Sequence, residues 1–139
     1  MHIFCYLKRR NKLTISFDPR HTSIDEERFI DCDWKDFYPG AQEDILSNLP
    51  KPRGKEVSIT CFVYASHVSN LKTRRSHTGI LFFINRAPIL WYSKRQNNVE
   101  SSTFGSEFIA LKTAVEILIG LRFKLRCFGI PIDGPSNVM

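Results

Sequence analysis

The sequence predicts a mixed α/β fold in which three antiparallel strands lead into one long helix and the opening of a fourth strand. Three observations predict it. Val57, Ile59, Cys61 and Val63 alternate with Ser58, Thr60, Phe62 and Tyr64, the period of a strand with one apolar face. Residues 79–84 form a continuous apolar run and residues 89–92 another, with Asn85-Arg86 between them as a hairpin turn. Phe108, Leu111, Val115, Leu118 and Leu125 then recur at near-helical spacing, with Ala114 and Ile119 beside them, and mark the face expected to pack on the sheet.

Each element has its own signals. Residues 2–10 read as a helix with no capping residue ahead of it. Residues 13–17 alternate apolar and polar side chains, a short strand closed by Asp18-Pro19. Between Arg20 and Pro50 the pattern breaks down into an acidic stretch with Trp34, Phe37 and Tyr38 scattered through it. A helical turn over residues 41–47 is compatible with that stretch. Pro50-Lys-Pro-Arg-Gly54 reads as a linker, so a connector over 1–54 and a compact domain over 55–139 are expected. Residues 65–78 form a polar, basic loop. Pro88 lacks an amide donor and belongs at a strand start or an unpaired edge. Ser102 or Thr103 can cap the long helix, Arg122, Lys124 and Arg126 complement its C-terminal dipole, and Gly129 and Pro131 mark its stop. Residues 137–139 look like the start of a strand that goes no further, so the fold is expected to break off before its fourth strand.

Composition narrows the function classes. In 139 residues, 42% hydrophobic and 12% aromatic content suffices for a packed core. No apolar run approaches a membrane span, and the first residues lack the layout of a secretory signal. Cys5, Cys32, Cys61 and Cys127 are far apart, without metal-type pairing, and two of them sit in apolar segments as buried free thiols. A reducing, intracellular compartment follows. Residues 1–50 carry seven Lys/Arg and nine Asp/Glu, a balance of −2, whereas residues 51–139 carry thirteen and five, a balance of +8. A basic second part fits a polyanionic partner, and equally a solvated basic surface.

Two stretches carry the chemistry: Cys61-Phe-Val-Tyr-Ala-Ser-His67 and Ser101-Ser-Thr-Phe-Gly-Ser-Glu-Phe-Ile-Ala-Leu111. With Asn70-Leu-Lys-Thr-Arg-Arg-Ser-His-Thr-Gly79 and Trp91-Tyr-Ser-Lys-Arg-Gln96, they closely resemble the ribonuclease H region that follows reverse transcriptase in copia-type retrotransposon polyproteins. His2 to Lys8 and Phe17-Asp-Pro19 resemble the segment joining polymerase to nuclease there. The resemblance covers nearly the whole chain and is strongest over 57–131. It implies a ribonuclease H-like fold and a family activity of cutting the RNA strand of RNA–DNA hybrids during reverse transcription. It also implies magnesium as cofactor, the rest of the polyprotein as partner, and a place in host cytoplasm or nucleus, or in a virus-like particle of an intact element.

Such nucleases hold two divalent ions about 4 Å apart, one activating water and one stabilising the leaving oxygen. Hard cations want oxygen ligands, so several carboxylates must converge. Glu107 falls on the family's helical glutamate, although an exposed acid near a helix start also suits the dipole. Tyr64 falls on the family's first aspartate, and a phenol is neutral near pH 7 and a poor magnesium ligand. The family's strand-four aspartate would follow Met139, and Asp133 reads as a loop acid. The expectation is an inactive, degenerate domain that does not hold magnesium tightly. Asn70, Lys72, Arg74, Arg75, Lys94 and Arg95 could track the phosphates of a hybrid. His67 and His77 read as surface or phosphate-contacting histidines. Two further readings stand beside this one: a non-catalytic nucleic-acid-binding module, and a decayed open reading frame without function, which would fold poorly.

Overall fold

The computed structural model describes residues 8–10, 12–20, 36–40, 42–43 and 45–139. Most of the predicted helix at 2–10 lies outside these residues, as do Cys5, Cys32 and Trp34. Residues 13–17 join no strand, and Leu13, Ile15 and Phe17 stay exposed. Among the described residues no strand lies beside these five, so alternation alone does not make them one. The described part of 41–47 likewise forms no helix.

The sheet is built around one hairpin. Asn85 adopts a positive φ of 54°, tolerated by its short polar side chain, and its Oδ1 accepts from the Ser58 amide at 3.0 Å. This turn joins β2 (His77–Ile84) to β3 (Ala87–Arg95). β1 (Ile59–Ser66) pairs antiparallel with β2 from Ile59↔Ile84 to Ser66↔His77. Pro88 sits near the start of β3, on an edge strand, where the β2–β3 register slips between Phe82 and Phe83. A missing amide donor does least harm there. β3 is longer than predicted because its last residues, Ser93, Lys94 and Arg95, are polar and leave no hydrophobic signal.

The long helix α1 (Thr103–Cys127) starts at Ser102, whose side chain accepts from the Gly105 amide. It stops where Gly129 takes a φ of 70°. A side chain at Gly129 would also crowd the Lys51 carbonyl at 3.3 Å, and the Arg53 amide donates to the Gly129 carbonyl at 2.7 Å. The chain then returns to the sheet as β4 (Asn137–Val138), parallel to β1 through Thr60↔Asn137 and Cys61↔Val138. Met139 extends the ladder, donating to Cys61 O and accepting from Val63 N. The fourth strand has therefore begun where the sequence suggested a break before it. The strand order is β3-β2-β1-β4, and among the described residues the architecture is mixed α/β: three antiparallel strands, a parallel fourth, and one long helix. No helix among them is long and apolar enough to cross a membrane.

The core lies between α1 and one face of the sheet. Ile59, Cys61, Ile80 and Phe82 meet Ala114, Leu118 and Leu125 there. The predicted stripe is only half right. Phe108, Leu111, Val115 and Ile119 are exposed, whereas Ser106, Ala110, Ala114, Leu118 and Leu125 face inward. The helix is apolar on two sides, and the side with small residues at every fourth position packs because it lets the helix approach the sheet closely. Cys61 is buried as expected, and burial pushes its thiol up to about 11. Cys127, at the end of the helix, is exposed.

The basic end of α1 does more than complement a dipole. Arg122 and Arg126 both clasp the Glu43 carboxylate, Arg122 at 2.7 Å, and Arg122 also donates to Ser136 Oγ at 2.8 Å. Hydrogen bonds first from Arg122 and then from Arg126 hold the Glu43 carboxyl at about 2 instead of 4.5. Because the folded value is depressed, the stabilisation is complete above about pH 5 and is lost as pH falls toward 2. The Glu43 side chain is 34% exposed, so screening trims the effect to about 1 kcal/mol. Glu43→Gln is expected to cost that much at pH 7 and little at pH 2, measured by urea unfolding. Equal losses at pH 7 and pH 2 would contradict the pairing.

Candidate nucleic-acid interface

The C-terminal ends of β1 and β3, the start of β2 and the N-terminus of α1 lie at one end of the sheet, and the loop 67–76 caps it. A chain of buried polar groups ties these parts together. His67 Nδ1 hydrogen-bonds Ser106 Oγ at 2.8 Å, and Ser106 Oγ meets Ser76 Oγ at 2.9 Å. Ser76 Oγ in turn accepts from the Val68 amide at 3.0 Å. That contact holds Val68 at a φ of 50°, a costly conformation for a β-branched residue. Gln96 closes the network: its Nε2 donates to Thr78 Oγ1 at 3.0 Å and to Ser106 O at 2.8 Å. Ser76 and Ser106 are completely buried. These groups fix the loop against the helix and the end of β3, and the sequence reading missed them. The spacing Ser106, Ala110, Ala114, small residues four apart, was the available signal for the packed face.

The predicted phosphate-contacting residues gather at this end. Lys72 and Arg74 are exposed on the loop, Arg75 is half-buried, and Lys94 and Arg95 are exposed at the end of β3. The pairings Thr78↔Lys94 and His77↔Arg95 place the last two directly beside the start of β2, where the loop ends. Asn70 does something different. Its Oδ1 accepts from the Lys72 and Thr73 amides at 3.2 and 3.0 Å, so its side chain shapes the turn that presents the cations. The two histidines are likewise engaged rather than loose on the surface: His67 is bonded to Ser106, and His77 Nδ1 lies 2.6 Å from Ser69 Oγ.

Glu107 and Tyr64 border the same concavity, although strand alternation turns the Tyr64 side chain to the sheet face away from α1. Both line a concavity of ≈ 370 Å³ between β1, the N-terminal turns of α1 and the start of β4, with Phe104, Phe108, Leu111 and Met139 among its walls. Glu107 is exposed in the second turn of the helix, and Tyr64 is exposed on β1. Glu107 is the single carboxylate on that lining, and among the described residues no three His, Cys, Asp or Glu side chains gather into a metal-binding group. One carboxylate side chain among apolar walls does not fit a pair of magnesium ions, which need several converging oxygens. Asp133 is elsewhere, an exposed loop residue whose backbone amide donates to Val57 O. No known family model matches the chain, and no solved structure matches it at a significant level.

Proposed function

We propose that the chain is a ribonuclease H-like domain with its preceding connector, from a copia-type retrotransposon polyprotein, and that it binds RNA–DNA hybrid without cutting it. The observation that carries this reading is that Glu107 and the β1 tip at Tyr64 border one concavity beside the start of β4. Convergence at the β1 tip is what the resemblance implies for the family's helical glutamate and first aspartate. The strand order, with a parallel fourth strand beside the first and the helix between them in sequence, supports the same fold. Tyr64 withholds the charge that a second ligand would supply, so chemistry is lost while the cationic end of the sheet remains. Lys72, Arg74, Arg75, Lys94 and Arg95 contact phosphates, and the surrounding polyprotein, with its reverse transcriptase, delivers the hybrid.

Salt tests the phosphate contacts. Hybrid affinity, followed by anisotropy of a labelled duplex, is expected to fall linearly on logarithmic axes with salt, by about 0.9 per phosphate contact. Replacing Lys72, Arg74 and Arg75 together with Gln is expected to make the slope shallower by roughly 2 to 3. A flat response of the unaltered chain rules the contacts out.

A further inference from the structure

We propose that the sheet face turned away from α1 is a second nucleic-acid surface, which takes the unpaired bases of a single strand. Strand alternation directs Phe62 and Tyr64 of β1, Leu81 and Phe83 of β2, and Trp91 of β3 to this side. Phe62 is 45% exposed, Tyr64 68% and Trp91 71%, values far from those of core aromatics.

The register arranges them in rows. Phe62, Leu81 and Trp91 form one, and Tyr64, Gly79 and Ser93 the next. Successive rows on one face are about 6.8 Å apart. Gly79 matters through what it lacks. A Cβ there would meet only the Tyr64 carbonyl, at 3.8 Å, so the backbone does not demand glycine. Its bare position leaves a trough between Tyr64 and Trp91, a concavity of ≈ 590 Å³ with an almost wholly apolar lining. That shape suits a flat ring laid against exposed aromatic faces.

Charge selects the occupant. β1, β2 and β3 contain no Asp or Glu. The third row of the same face is Ser66, His77 and Arg95, and beyond it lies the loop with Lys72 and Arg74. An apolar aromatic floor free of acids and bordered by cations matches a ligand with π-faces on an anionic backbone. Base stacking on such platforms tolerates any sequence, and four-stranded sheets with aromatic rows bind single strands this way. A hybrid duplex cannot use the surface, because its bases are already paired and stacked. The inference therefore goes beyond hybrid binding and depends on different side chains.

The test uses the full chain with Trp34→Phe, leaving Trp91 as its sole indole. Titration with oligo(U) is expected to quench Trp91 fluorescence. In the unaltered background, Trp91→Ala and Tyr64→Ala are each expected to weaken labelled oligo(U) on the order of ten-fold or more, with Trp91→Phe retaining most of the affinity. Both positions are exposed, and helical circular dichroism verifies that the variants fold. Hybrid binding is expected to survive Trp91→Ala, and oligo(U) quenching to survive the Lys72, Arg74 and Arg75 replacement in part. Absent quenching while hybrid binding persists overturns the proposal without touching the hybrid reading. So does sedimentation showing dimers that Trp91→Ala dissolves, since a second copy would then cover the face.

Discussion

Phe82→Ala is expected to lower the free energy of unfolding by about 3–5 kcal/mol. Phe82 is fully buried on β2, which lies between β1 and β3, and its ring fills the space under α1 beside Ile59, Cys61 and Ala114. Removing it takes away apolar contact and leaves a cavity that a helix and three strands cannot close. A small domain has only about 5–15 kcal/mol in total, so the variant should be close to unfolding at room temperature. Trp91→Ala provides the matched comparison, deleting a larger ring from the open face at a cost within about 1 kcal/mol. Urea unfolding followed by circular dichroism measures both. Similar losses in the two variants would mean that the buried and open faces of the sheet have been assigned the wrong way round.

That assignment was the part of the fold least legible in the sequence. Residues 79–84 read as a continuous apolar run, the mark of a strand covered on both sides. Thr78, Ile80 and Phe82 are indeed buried, but Gly79, Leu81 and Phe83 alternate with them toward the open face. Periodicity reports apolar character and is silent on whether a partner covers it. The helix posed the same problem, with Phe108, Leu111 and Val115 outside and the smaller Ala110 and Ala114 inside. Features set by local chemistry were easier to read: the Asn85-Arg86 turn, the Ser102 cap and the Gly129 stop each depend on a few adjacent atoms. The ends of β1 and β3 ran longer than expected because Ser66, Lys94 and Arg95 belong to strands by pairing alone. A strand over Tyr64 and a helix over Glu107 could be expected from local pattern alone. The buried Ser76–Ser106–Gln96 network could not, since nothing in a polar loop marks which hydroxyl will be enclosed.

The second large effect expected under the proposed reading is that the hybrid is not cut. Two-metal hydrolysis depends on carboxylates whose summed charge holds two cations at close range against their mutual repulsion. At the Glu107 concavity the lining contributes one carboxylate side chain, and at Tyr64 a phenol stands in place of a second. The remaining walls are apolar side chains that offer magnesium nothing to replace its water. Under the proposed reading binding outlasts chemistry, because the phosphate contacts proposed for the loop and β3 do not depend on a metal site. Tyr64 acquires a different use in this account, as an aromatic on the open sheet face instead of a ligand.

The most direct measurement is to incubate the chain with an end-labelled RNA–DNA hybrid in magnesium and to follow binding and strand length in the same samples. The account predicts a complex that retards the hybrid at low salt, with the RNA strand recovered at full length. RNA cleavage that requires magnesium and disappears in Glu107→Gln would contradict it.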